Sequence, residues 1–131
     1  MAKILIVDDD QDVVEAMRVV LGKFRHEVVA AYDGSEGLEK TRKEKPDLII
    51  LDVMLPGVDG FEVAREIKKD ERVKSTPILM LTAIKERTGI DFHKEAGDPD
   101  WLPVEDYCNK PLDYEVLIDK VNRLLLTRKT S

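Results

Sequence analysis

Ile4-Leu5-Ile6-Val7-Asp8-Asp9-Asp10 decides the fold: four apolar residues in an unbroken run, then three acids. A strand on a half-wet sheet alternates apolar with polar residues, so a continuous run marks a strand covered on both faces, as a parallel sheet requires. Leu48 to Leu51 and Ile78 to Leu81 read the same way, and Val28 to Ala31 and Tyr107-Cys108 are weaker candidates for two more strands. Between them the period becomes helical. Val13, Met17, Val20, Leu21 and Phe24 are expected on one face, and Leu117, Val121, Leu124 and Leu125 on another. Repeated strand–helix units with short connections imply right-handed crossovers and an open, doubly wound parallel α/β sheet.

The punctuation agrees. Asp10 and Asp113 stand where they would cap the helices that follow, and Asp59 precedes a helix expected from Gly60, with Glu62 placed as the reciprocal partner of a capping box. Pro46, Pro77 and Pro111 fall at element boundaries, where a missing N–H does least harm.

Composition bounds the function. A chain of 131 residues, 43% hydrophobic and 37% charged, suits one globular domain and is too rich in Leu, Ile and Val for disorder. Cys108 is the only cysteine, which excludes a disulfide scaffold, and with His26 and His93 far apart no zinc spacing exists. The chain reads as intracellular and cytoplasmic: Met1-Ala2-Lys3 leads into too short an apolar run for a signal peptide, and no run is long enough to cross a bilayer. A net charge of −6 with scattered basic residues argues against direct nucleic-acid binding.

In a doubly wound sheet, ligands bind beyond the carboxyl ends of the strands. The first apolar run ends in Asp8-Asp9-Asp10, the third strand in Asp52, the fourth in Thr82, and the fifth is followed by Lys110-Pro111. Parallel strands would gather these residues into one crevice. Crowded carboxylates stay ionised only beside a cation, and an oxygen-only ligand set indicates Mg²⁺. An ammonium and a hydroxyl beside it suit phosphoryl oxygens better than another carboxylate, and an Asp carboxylate is a competent phosphoryl acceptor. Asp52, central among the others, is the candidate acceptor. Each residue alone has a blander reading: Asp10 and Thr82 as helix caps, Asp52 as a turn residue before Pro56-Gly57, Lys110 as a solvated charge. One cap does not explain three consecutive acids.

From Ile4 to about Leu125 the chain resembles the receiver domain of bacterial two-component response regulators, with motifs Ile-Leu-Ile-Val-Asp8-Asp9-Asp10, Leu-Asp52-Val-Met-Leu-Pro-Gly-Val-Asp-Gly60, Leu-Thr82-Ala83 and Asn-Lys110-Pro111. The resemblance implies a flavodoxin-like (βα)5 fold, strand order 2-1-3-4-5, over residues 1–127, with 128–131 as a tail or the start of a linker. It implies phosphotransfer to Asp52 from a sensor histidine kinase or a histidine phosphotransfer protein. Mg²⁺ would be held by the Asp9 and Asp52 side chains, by the Met54 backbone carbonyl and, mostly through water, by Asp8. Lys110 and Thr82 would take the remaining phosphoryl oxygens. Thr82 would then move toward the phosphoryl group and Tyr107 turn inward, changing the face made by the fourth helix, fifth strand and fifth helix for a downstream effector or a fused output domain. Residues alone would leave Tyr107 a half-buried ring with its hydroxyl in water. The Lys110-Pro111 bond is expected cis.

Between Gly97 and Tyr107 the chain departs from the family, with a connection longer than the usual Gly-Ala-Asp-Asp-Tyr. Trp101, the only tryptophan, reads there as a cover for its own loop or as a docking anchor. A monomer or weak dimer is expected. Met54 and Ile84, each two residues beyond Asp52 and Thr82, are apolar where other members carry groups that guide water, so slow self-dephosphorylation is expected. Cys108 is expected to pack as a small apolar residue.

The chain is expected to be no enzyme with a free product. A metal-dependent aspartyl-phosphate hydrolase would use an acid two residues after its nucleophile, where Met54 stands. A degenerate receiver acting without phosphorylation would not need Asp8, Asp9, Asp52, Thr82 and Lys110 all intact, and no Gly-rich loop follows the first strand to bind a nucleotide. Ending at Ser131, the chain is expected to be a stand-alone regulator or a receiver cut from a longer protein.

Overall fold

Each continuous apolar run forms a strand with both faces covered. The structure, a computed structural model, describes residues 2–55, 57, 59–82, 104–110 and 112–130. Its elements are β1 (Lys3–Val7), α1 (Gln11–Gly22), β2 (Glu27–Ala31), α2 (Gly34–Glu44), β3 (Leu48–Asp52), α3 (Gly60–Lys69), β4 (Ile78–Thr82), β5 (Asp106–Asn109) and a last helix, α4 (Tyr114–Thr130). The five strands are all parallel, in order β2-β1-β3-β4-β5. This is the flavodoxin-like order expected. The long connection with Trp101, the Lys110-Pro111 bond and Ile84 lie outside the described residues.

Because side chains alternate across a strand, one apolar run feeds two cores. Ile4, Ile6, Leu48, Ile50, Leu79 and Leu81 point to the side covered by α1 and α4. Leu5, Val7, Ile49, Leu51, Ile78 and Met80 point to the other, against α3. Cys108 is buried in the first core, as expected, and burial pushes its thiol up, away from the reactive thiolate.

Two expectations need correction. The buried face of α1 is Val14, Met17 and Leu21, whereas Phe24 is 51% exposed. The helix ends at Gly22 and the chain turns through Arg25 at φ 66°, so Phe24 has left the helical period. At α3, Asp59 Oδ1 caps by accepting from Phe61 N at 2.8 Å, but Glu62 faces Arg65 Nη1 at 3.5 Å instead of completing a box. A reciprocal cap forms on α2: Asp33 Oδ1 accepts from Glu36 N and Glu36 Oε1 accepts from Tyr32 N, both at 2.8 Å. The caps by Asp10 and Asp113 are present as expected.

Candidate functional site

Parallel strands put all their carboxyl ends on one edge, and the sequence leaves its acids there. Asp8 follows β1, Asp52 ends β3, Thr82 ends β4 and Lys110 follows β5. Asp8, Asp52 and Thr82 are buried, whereas Asp9 is exposed at the mouth. Lys110 Nζ lies 3.2 Å from Asp52 Oδ2 and 3.3 Å from Asp8 Oδ2, the latter 102 positions away in the chain. One carboxylate oxygen each from Asp8, Asp9 and Asp52 falls within 4.8 Å of the others.

Backbone amides hold the rest of the carboxylates. Asp8 Oδ1 accepts from Asp10 N at 3.0 Å, and Asp52 Oδ1 accepts from Met54 N at 3.2 Å. The triplet of acids therefore divides its labour: Asp10 caps α1, Asp8 anchors the lysine, and Asp9 faces out. Thr82 lies opposite Asn109 on β5, and its carbonyl accepts from Lys110 N at 2.9 Å, so Thr82 ties β4 to the lysine.

The electrostatics favour bound positive charge. Burial pushes the Asp8 carboxyl up, the Asp10 amide opposes it, and the nearby charge of Asp52 adds to the rise. Burial pulls the Lys110 ammonium down, but the carboxylates of Asp52 and Asp8 outweigh it and hold it above its usual range. Three carboxylates against one ammonium leave two negative charges, the complement of a divalent ion. Mg²⁺ binds oxygens at about 2.1 Å, which sets opposite ligand atoms about 4 Å apart, so a hard, oxygen-only cluster whose atoms lie within 4.8 Å of one another suits it.

The sequence from residue 4 to 122 matches the response regulator receiver domain family. The chain belongs to that family. PilH of Pseudomonas aeruginosa is 34% identical over 125 residues, covering 95% of this chain and 98% of PilH. The Bacillus subtilis alkaline phosphatase synthesis transcriptional regulatory protein PhoP is 40% identical over 123 residues, but this receiver spans only 48% of its length. Among solved structures, Vibrio cholerae chemotaxis protein CheY4 superposes with a TM-score of 0.81 at 31% identity, covering 95% of this chain and 98% of that one. Receiver domains are signalling domains of two-component systems and bind Mg²⁺ at an acidic pocket; in this chain Asp8, Asp9 and Asp52 form an acidic cluster with the donors to hold a metal ion.

Tyr107 is 7% exposed and packs in the core on the α3 side of the sheet, not half-buried as its residue type alone suggests. Two contributors to the site's architecture carry no plain signal in the sequence. Gly60 opens α3 directly against the backbone of Asp52 and Val53, with its N–H donating to Val53 O at 3.0 Å. Glu105 Oε1 accepts from Ile78 N at 2.8 Å and its other oxygen pairs with Lys68 at 2.8 Å, pinning the start of β5 to β4 and α3. Among the described residues no helix is long and apolar enough to cross a membrane.

Proposed function

We propose that the chain is a phosphorelay switch that accepts a phosphoryl group on Asp52 from a sensor histidine kinase or a histidine phosphotransfer protein. The observation that carries this reading is the Lys110 ammonium between Asp52 and Asp8 at 3.2 and 3.3 Å, on the edge where Asp9 and Thr82 also lie. An Asp52 carboxylate oxygen forms the new P–O bond as the P–N bond of the phosphohistidine donor breaks. The electron pair leaves with the imidazole nitrogen, which takes up a proton from water.

Asp9 and Asp52 side chains and the Met54 carbonyl would hold Mg²⁺. Asp8, whose oxygens already serve Lys110 and the Asp10 amide, acts mostly through water. Bound Mg²⁺ supplies neutralisation of the charge that spreads over the transferring oxygens. Lys110 donates to one phosphoryl oxygen and the Thr82 hydroxyl to another. Drawing Thr82 toward the new group and seating Tyr107 inward changes the neighbouring face, a population shift between two pre-existing states. That face then engages an effector protein or a fused output domain, in a cytoplasmic setting. We assign residues 1–127 to this unit and 128–131 to a tail or linker. The domain assists only its own phosphorylation and dephosphorylation.

Incubation with acetyl phosphate and Mg²⁺, followed by intact mass, tests the reading: the native chain gains one phosphoryl group and the Asp52→Asn variant gains none. No gain by the native chain favours a phosphorylation-independent module, and multiple turnover of an unrelated phosphoester favours a hydrolase.

A further inference from the structure

β5 is an edge strand, and edge strands expose unpaired backbone groups unless something covers them. Among the described residues, α4 supplies cover at Tyr107. Lys120 Nζ donates to the Tyr107 carbonyl at 2.8 Å and to Asp106 Oδ1 at 3.1 Å, and that same oxygen accepts from Tyr107 N at 2.8 Å. The ammonium also stands 5.3 Å from the centroid of the Tyr107 ring, within cation–π range. An exposed Lys–Asp pair alone contributes little, because water screens it and its side chains lose freedom. Here the charge also holds both a backbone carbonyl and a buried ring.

We propose that Lys120 is a positioning residue for Tyr107: it latches the edge of β5 and holds the ring in its buried pose, biasing the domain toward the state that takes a phosphoryl group. The inference rests on the reading of Asp52 as acceptor and Tyr107 as switch. The link to the site is β5 itself, which carries Tyr107 and leads into Lys110, whose amide holds Thr82 and whose ammonium holds Asp52. Swinging the ring outward breaks the cation–π contact and wets a side chain that is now buried. A group that prefers one of two states raises the apparent affinity of a ligand for that state by the same ratio.

The test compares the native chain with Lys120→Met, which keeps the stem and removes the charge, and with Lys120→Arg, which restores it. In protein labelled with 3-fluorotyrosine, the Tyr107 signal is distinguished from those of Tyr32 and Tyr114 by its loss in Tyr107→Phe. Without any ligand, that signal shifts toward solvent-exposed values in Lys120→Met and returns in Lys120→Arg. In parallel, beryllofluoride with Mg²⁺ binds Lys120→Met about three- to tenfold more weakly, the ratio that one cation–π contact and one carbonyl hydrogen bond supply. An unmoved Tyr107 signal overturns the latch. A moved signal with unchanged beryllofluoride affinity overturns the coupling. If the native chain itself takes no beryllofluoride, the phosphoacceptor reading fails while the fluorine signal still decides the latch. Thermal melts confirm that each variant is folded, and if Lys120→Met is not, Lys120→Gln takes its place.

Discussion

The backbone carbonyl of Asp52 occupies the space where Gly60 would carry a β-carbon. A methyl group there would also lie 2.7 Å from Val53 Cα, too close for any real contact. The helix that follows β3 thus starts against the backbone of the proposed acceptor.

Gly60→Ala must therefore push α3 away from β3 or twist the end of β3. Overpacking of this kind costs about 1–3 kcal/mol. Urea unfolding of the variant should show a lower midpoint, and acetyl phosphate should load it more slowly than the native chain because Asp52 moves with its backbone.

Lys45 ends α2 in the left-handed region at φ 46°, exposed, with its N–H donating to Thr41 O at 3.1 Å. A side chain there costs roughly 1–2 kcal/mol, and glycine gives back about 0.5–1 in unfolded-state entropy. Lys45→Gly should stabilise the domain by about 0.5–1 kcal/mol, read as a raised Tm with phosphorylation unchanged.

Asp70 caps the end of α3 and binds Arg72 Nη2 at 3.1 Å and Arg42 Nε at 2.9 Å. The Arg72 side chain, then its amide, then Arg42 hold this carboxyl well below the usual carboxylate range. A depressed folded-state value means that the stabilisation is complete above the unfolded carboxyl's pKa of about 3.9 and is lost as pH falls through the lower folded value. Asp70→Asn should be less stable than the native chain at pH 7, with the difference shrinking below about pH 3.9, where the unfolded chain takes up a proton that the native carboxyl still refuses. Urea midpoints measured from pH 7 to pH 2.5 give the comparison, and a constant difference over that range would refute the assignment.

Met54 is 52% exposed beside Asp52, the proposed acceptor, offering an apolar side chain where hydrolysis needs a guided water. The phosphorylated native chain should lose its group slowly. One hydrogen bond to the attacking water, worth about 1.4 kcal/mol, is about tenfold in rate, so Met54→Asn should shorten the lifetime by about that factor. Loss of label from the native chain within seconds would count against this.

Three strands were plain in the sequence because burial on both faces demands unbroken apolar runs. β5 was faint because an edge strand of only four residues, Asp106–Asn109, carries polar residues at both ends. The site is legible because parallel strands convert scattered strand ends into one locus, so the sequence alone groups Asp8, Asp52, Thr82 and Lys110. What the sequence hid depends on distance through space. Gly60 reads as the start of a helix, but the need for a glycine there shows only once Asp52 is seen behind it, and Lys120 acts on Tyr107 from 13 positions away on another element. The misplacement of Phe24 has a local cause: the periodic pattern outlasts α1, whose end is marked only by an unusual backbone angle at Arg25.

The central claim is that Asp52, among all the carboxylates of this chain, takes the phosphoryl group because Lys110 and the acids around it converge there. Borohydride reduction of the acetyl phosphate-treated protein converts an acyl phosphate to an alcohol, which peptide mass spectrometry reads as homoserine. The account predicts homoserine at position 52 in the native chain, dependent on Mg²⁺ and strongly reduced in Lys110→Ala. Homoserine at any other aspartate, or equal labelling without Lys110, would contradict it.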